Sequence, residues 1–99
     1  MSQKHTVMVI LEAKLEKEAE LEAALQAVVK PSRSESTCIE YRLHKSIDNS
    51  AQFMLFENWE SQEKHAEQFS KPYIQDLGAK LEPLLAKPFQ LVMANEVSE

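Results

Sequence analysis

Glu57 and Trp59, two positions apart at the end of the apolar run Phe53-Met54-Leu55-Phe56, are the residues whose types and spacing most suggest chemistry. Alternate side chains of a strand share a face, so Phe53, Leu55, Glu57 and Trp59 point one way and Met54, Phe56 and Asn58 the other. A carboxylate carried into an apolar layer needs a partner. His65 follows shortly after, and its ordinary pKa suits proton transfer near neutrality. Arg33, Tyr41 and Tyr73 complete the available polar groups; a phenol donates a hydrogen bond but is rarely a base at pH 7.

Other chemistries find little support. His5 and His44 do not form a recognisable metal-binding spacing with His65, and no metal is expected. Cys38 stands alone, so no intrachain disulfide or cysteine-based metal site can be assembled, and it reads as a small buried hydrophobe. The single glycine, Gly78, excludes a glycine-rich phosphate loop. A net charge of −5 with scattered Lys and Arg argues against nucleic acid as a partner. No apolar run approaches a membrane span or a leader core, so no membrane association and a cytoplasmic location are expected.

These groups must be positioned by one domain. The 99 residues, 43% hydrophobic and 27% charged, describe an ordinary globular chain spanning 1–99 with its core at about 5–95. Residues 6–13 read as a strand. Residues 16–29 carry Leu21, Ala24, Leu25, Val28 and Val29 at the spacing of a one-sided helix, which Pro31 should help to stop. Residues 38–45 alternate Ile39, Tyr41 and Leu43 against Cys38, Glu40, Arg42 and His44, a second strand. Turn residues at 47–50 lead into a third strand at 52–59.

Ser61 is a good N-cap, with Glu63 in the first turn. The helix it starts should end near Phe69, and another begins at Pro72 with Ile74, Leu77, Leu81 and Leu84 at helical spacing. A fourth strand, 88–95, alternates Phe89, Leu91 and Met93 against Gln90, Val92 and Ala94. Strand, helix, strand, strand, helix, strand is the α+β, ferredoxin-like βαββαβ order: an antiparallel sheet with helices on one face. Met8, Ile10, Met54 and Phe56 then lie on the other face. An exposed patch of that kind marks an interface, so a homodimer packed through the open sheet face is expected.

With this order in place, residues 33–74 resemble the antibiotic biosynthesis monooxygenase domain, in the quinol monooxygenase branch of the dimeric α+β barrels. The resemblance is carried by Arg33, Glu35-Ser36-Thr37-Cys38, Tyr41, Glu57-Asn58-Trp59, Ser61, Glu63 and Lys71-Pro72-Tyr73. There are departures. The histidine usual nine positions after the tryptophan is Gln68, and the one usual after the proline is Tyr73. His65 falls where leucine is common, and Thr37 replaces the turn glycine. Haem-degrading relatives use an Asn and an axial His where this chain has Leu11 and Gly78, which disfavours haem degradation.

The resemblance implies oxidation of a small phenol or quinol by dioxygen with no metal, flavin or other cofactor. It implies a catalytic set of His65, Tyr73 and Glu57, with Trp59, Tyr41, Arg33, Phe53 and Phe69 binding the aromatic substrate. Each residue also has a plainer reading. Trp59 packs in a core or at an interface, Glu57 accepts from a backbone amide or Arg33, and His65 sits on a solvated helix. Two other functions stay open: a non-catalytic small-molecule-binding dimer, and an isomerase of a small carbonyl compound.

Overall fold

The computed structural model describes residues 4–98. Its elements follow in the order β1 (His5–Glu12), α1 (Glu18–Arg33), β2 (Cys38–Lys45), β3 (Gln52–Trp59), α2 (Gln62–Glu67), α3 (Pro72–Leu84) and β4 (Gln90–Ala94), with a 3-10 turn at Gln68–Ser70. The strands form one antiparallel sheet in the order β2-β3-β1-β4. This is the α+β, ferredoxin-like arrangement the element order implies.

The core lies on one face of that sheet. Val7, Val9 and Leu11 of β1 pair with Glu57, Leu55 and Phe53 of β3, so all six side chains share a face. Leu21, Leu25 and Val28 of α1 and Leu77, Leu81 and Leu84 of α3 close over it, recurring every three to four residues as a helix stripe must. Each large aliphatic side chain buried this way is worth about 1.5–3 kcal/mol.

Three local features differ from the pattern-based expectation. First, α1 runs through Pro31 to Arg33. Proline removes one intrahelical N–H, yet the helix continues past it into a last turn that Ser34 closes by donating its N–H to the carbonyls of Lys30 and Pro31. Two further residues, Ser32 and Arg33, are thereby brought to the sheet. Second, the β2–β3 register shifts between Cys38 and Glu40, where Cys38 faces Trp59 and Glu40 faces Asn58. The bulge puts Cys38 on the same side as Tyr41 and leaves Ile39 exposed. Third, the helices do not reach β4. Leu91 and Met93 align with Val9 and Val7 on the core face yet remain exposed.

Ser61 caps α2 as expected, its Oγ accepting from the Lys64 N–H at 3.2 Å. The opposite sheet face carries Met8, Ile10, Met54, Phe56 and Val92, with no helix over them. Among the described residues no helix is long and apolar enough to cross a membrane.

Candidate functional site

Where the helices rise from the sheet they leave a cavity of about 290 Å³. Its walls are largely aliphatic, from Val9, Leu11, Leu25, Leu55, Leu77 and Leu81. Tyr41, Glu57, His65 and Gln68 enter among them, and Phe69, Gln75, Gly78, Phe89 and Leu91 complete the lining on the solvent side. A mostly apolar space with a few convergent polar groups is the usual form of a small-molecule site.

Glu57 is the buried acid of the cluster, at 3% exposure. β3 places it one strand residue from Asn58 and two from Trp59, whose indole Nε1–H it accepts at 2.9 Å. Burial raises the carboxyl to about 7, and the Trp59 bond only partly opposes this. His65, on α2, has its Nε2 at 3.9 Å from Glu57 Oε1 and is also buried. Desolvation, followed by the repulsion of His5, lowers its pKa to about 4. Burial therefore reverses the ranking that ordinary pKa values suggest: at neutral pH His65 is uncharged, while Glu57 is poised between its two forms.

The His65 ring is held on three sides. Its centroid lies 5.3 Å from His5, 5.7 Å from Trp59 and 5.1 Å from Phe69, the last edge-on. His5 Nε2 is buried with no hydrogen-bond partner among the described residues. The two imidazoles are tilted at 36° to one another, and no group of three His, Cys, Asp or Glu side chains among the described residues is arranged to hold a metal.

A second polar chain runs beside the first. Gln68 Nε2 donates to Ser32 Oγ at 2.9 Å and to the Tyr73 hydroxyl at 3.2 Å, and that hydroxyl donates to Glu35 Oε2 at 3.1 Å. Burial raises the Tyr73 pKa, and burial followed by the Glu57 charge raises that of Tyr41 further. Both phenols stay protonated as donors. Cys38, pushed up to about 11 by burial, is a thiol rather than a thiolate.

The structure thus brings Glu57, His65, Tyr41 and Phe69 of the expected residues to one cavity. The others lie outside it. Trp59 sits behind Glu57, which it contacts directly. Tyr73 touches the site through Gln68. Phe53, at 1% exposure, fills the core at the other end of β3, with Lys45 Nζ 5.5 Å from its ring centroid. Arg33 donates Nε–H to the Tyr41 carbonyl at 2.9 Å and lines a separate groove with Cys38, Glu40 and Arg42. Gln68, which in the sequence stands out only as a replacement for a histidine, also lines the cavity. Its spacing of three residues from His65 signals a shared helix face, because α2 passes directly into the 3-10 turn.

The model of the family described as antibiotic biosynthesis monooxygenase matches residues 5–80. An uncharacterised protein of Synechocystis sp. is 32% identical over 81 residues, 82% of this chain and 55% of its own length; the chain spans about half of that relative. Among solved structures, the PA3566 protein of Pseudomonas aeruginosa superposes with a TM-score of 0.94 at 24% identity, covering 99% of this chain and 98% of that one. Rv0793 of Mycobacterium tuberculosis gives 0.91 at 25% identity, covering 97% of each chain.

Proposed function

The chain belongs to the antibiotic biosynthesis monooxygenase family, and from that premise we propose that its cavity binds a small phenol or quinol, which dioxygen oxidises there without a metal or organic cofactor. The observation that carries the reading is Glu57: a carboxyl buried in the cavity wall, raised to about 7, beside an uncharged imidazole. A base with a pKa near the working pH is what removal of a phenolic proton requires.

In this scheme the Glu57 carboxylate takes the substrate hydroxyl proton. The phenolate gives one electron to dioxygen, and the two radicals combine to form a carbon–oxygen bond. Loss of the ring C–H proton and cleavage of the O–O bond then leave a quinone carbonyl and one water. All four electrons that dioxygen accepts come from the substrate, so no external reductant is consumed. The protein supplies orientation and exclusion of water. Tyr41 is the donor for the substrate oxygen, His65 lies against Glu57 and takes part in its proton exchange, and Phe69 covers the ring.

The test is oxygen uptake with a panel of hydroquinones and naphthols. One dioxygen consumed per quinone formed is expected, with Glu57→Gln lowering the rate by about a hundredfold or more. Tight binding of the same compounds with no uptake would instead make the chain a binding module. Gln68 favours that second reading, since its amide donates to Ser32 and Tyr73. Proton exchange into small ketones would indicate an isomerase.

We propose further that the protein is a homodimer joined through the Met8, Ile10, Met54 and Phe56 face. The support is an apolar sheet face without a covering helix.

A further inference from the structure

Gly78, the chain's single glycine, sits in the interior of α3. Glycine is the least helix-favouring residue after proline, so its place there needs a reason. Backbone conformation does not provide one, because no glycine in the structure has a positive φ. Packing does not provide one either: a Cβ built at Gly78 meets nothing within 4 Å. What remains is the space itself. Gly78 is exposed and also lines the cavity, as do Phe69, Phe89 and Leu91, which are 52%, 45% and 37% exposed. These residues belong to the mouth rather than to the floor.

We propose that Gly78 is a specificity-determining residue, which by lacking a side chain keeps the entrance wide enough for a flat, fused-ring aromatic alcohol. The proposal rests on the reading of the cavity as a ligand site, though not on whether dioxygen reacts there. A side chain at this position would project into the entrance between α3 and β4 and narrow it. A single phenol ring would still pass. A fused-ring system would be excluded, because the added side chain would occupy space at the opening that the larger ligand needs.

The experiment compares wild type, Gly78→Ala, Gly78→Leu and Gly78→Met for binding of p-cresol and 1-naphthol by calorimetry, with melting temperature and light scattering on each protein. Gly78→Ala should raise the melting temperature by roughly 2–8 °C, since it gains helix propensity without crowding. Gly78→Leu should leave p-cresol affinity within about threefold while weakening 1-naphthol about tenfold or more. Gly78→Met gives the same comparison with a more flexible side chain should the leucine variant not fold.

A lowered melting temperature in Gly78→Ala, or equal effects on the two ligands, would overturn the proposal. So would an altered oligomeric state with unchanged binding, which would assign the glycine to a packing surface. If the wild type binds neither compound, the cavity reading falls and this inference with it. Size-selective binding without oxygen uptake would leave the inference standing and remove only the oxidation.

Discussion

Trp59 donates its indole N–H to Oε1 of Glu57 at 2.9 Å, and both side chains are at least 97% buried. The pair exists because residues two apart on β3 share the core face. This hydrogen bond lowers the Glu57 pKa, and desolvation outweighs it. Trp59 is therefore a positioning residue in the proposed reaction: it reaches the cavity through the carboxylate it steadies and the His65 ring it packs against.

Trp59→Phe keeps an aromatic ring and removes the donor. Without that bond the ionised form of Glu57 loses support, so its pKa should climb further. The acidic limb of the kcat/KM profile should move to higher pH, with the loss greater at pH 6 than at pH 8.5. A rate that falls equally at both pH values would mean that Trp59 only packs.

The stability of the protein should respond to pH through two opposed groups. Glu57 rises from 4.5 to about 7, so between those values the native state holds a proton the unfolded chain has released, and rising pH destabilises. His65 falls from 6.5 to about 4, so there the unfolded chain holds the extra proton, and rising pH stabilises. Each shift is worth up to about 3 kcal/mol, and the two windows overlap. Urea denaturation at stepped pH should show Glu57→Gln gaining stability relative to wild type as pH rises from 4 to 6.5. His65→Phe should lose stability relative to wild type from 4.5 to 7. Parallel curves for all three proteins would refute both assignments.

Much of this was legible in the chain, for reasons that can be named. Both faces of residues 52–59 are apolar because the strand lies between a core and an open face, and alternation alone recovers it. Ser61 is recognisable because a cap is chosen by chemistry local to three residues. What failed depended on neighbours distant in sequence. Pro31 reads as a stop, yet the helix runs two residues past it before Ser34 closes the last turn. Ile39 looked inward until a bulge moved Cys38 into its place. Nothing in the alternation of Phe89, Leu91 and Met93 tells that no helix reaches them. The basicity of Glu57 over His65 is a property of burial depth, which residue type does not encode.

Gln68→Ala should destabilise by about 1–3 kcal/mol, the cost of leaving a buried hydroxyl without its partner. Ser32, at 0% exposure, is the group that loses a donor, because the Gln68 amide donates to it. Tyr73→Phe should cost less, about 1 kcal/mol, since its hydroxyl is only partly buried. Chemical denaturation of Gln68→Ala and of the Ser32→Ala, Gln68→Ala pair separates the cases. The double variant should recover part of the loss, because neither polar group remains to be satisfied. Strict additivity would show that the bond contributes nothing.

The open face should respond to a single charge. Met8 lies directly opposite Phe56, and Ile10 opposite Met54, so these four side chains form one continuous apolar block across the β1–β3 pair. At one end the block gives way to a polar ladder: Thr6 Oγ1 donates to Asn58 Oδ1 at 2.6 Å, and Asn58 Nδ2 to Glu40 Oε1 at 2.7 Å. In a two-fold packing each apolar block covers the other, so a substitution appears twice in the same interface. Phe56→Glu would place two carboxylates in a desolvated layer, and like charges there oppose association strongly. Light scattering at micromolar concentration should give a dimer for the wild type and a monomer for Phe56→Glu, with far-ultraviolet dichroism unchanged because the side chain points away from the core. A monomeric wild type would remove the dimer, leaving the fold and the cavity as described.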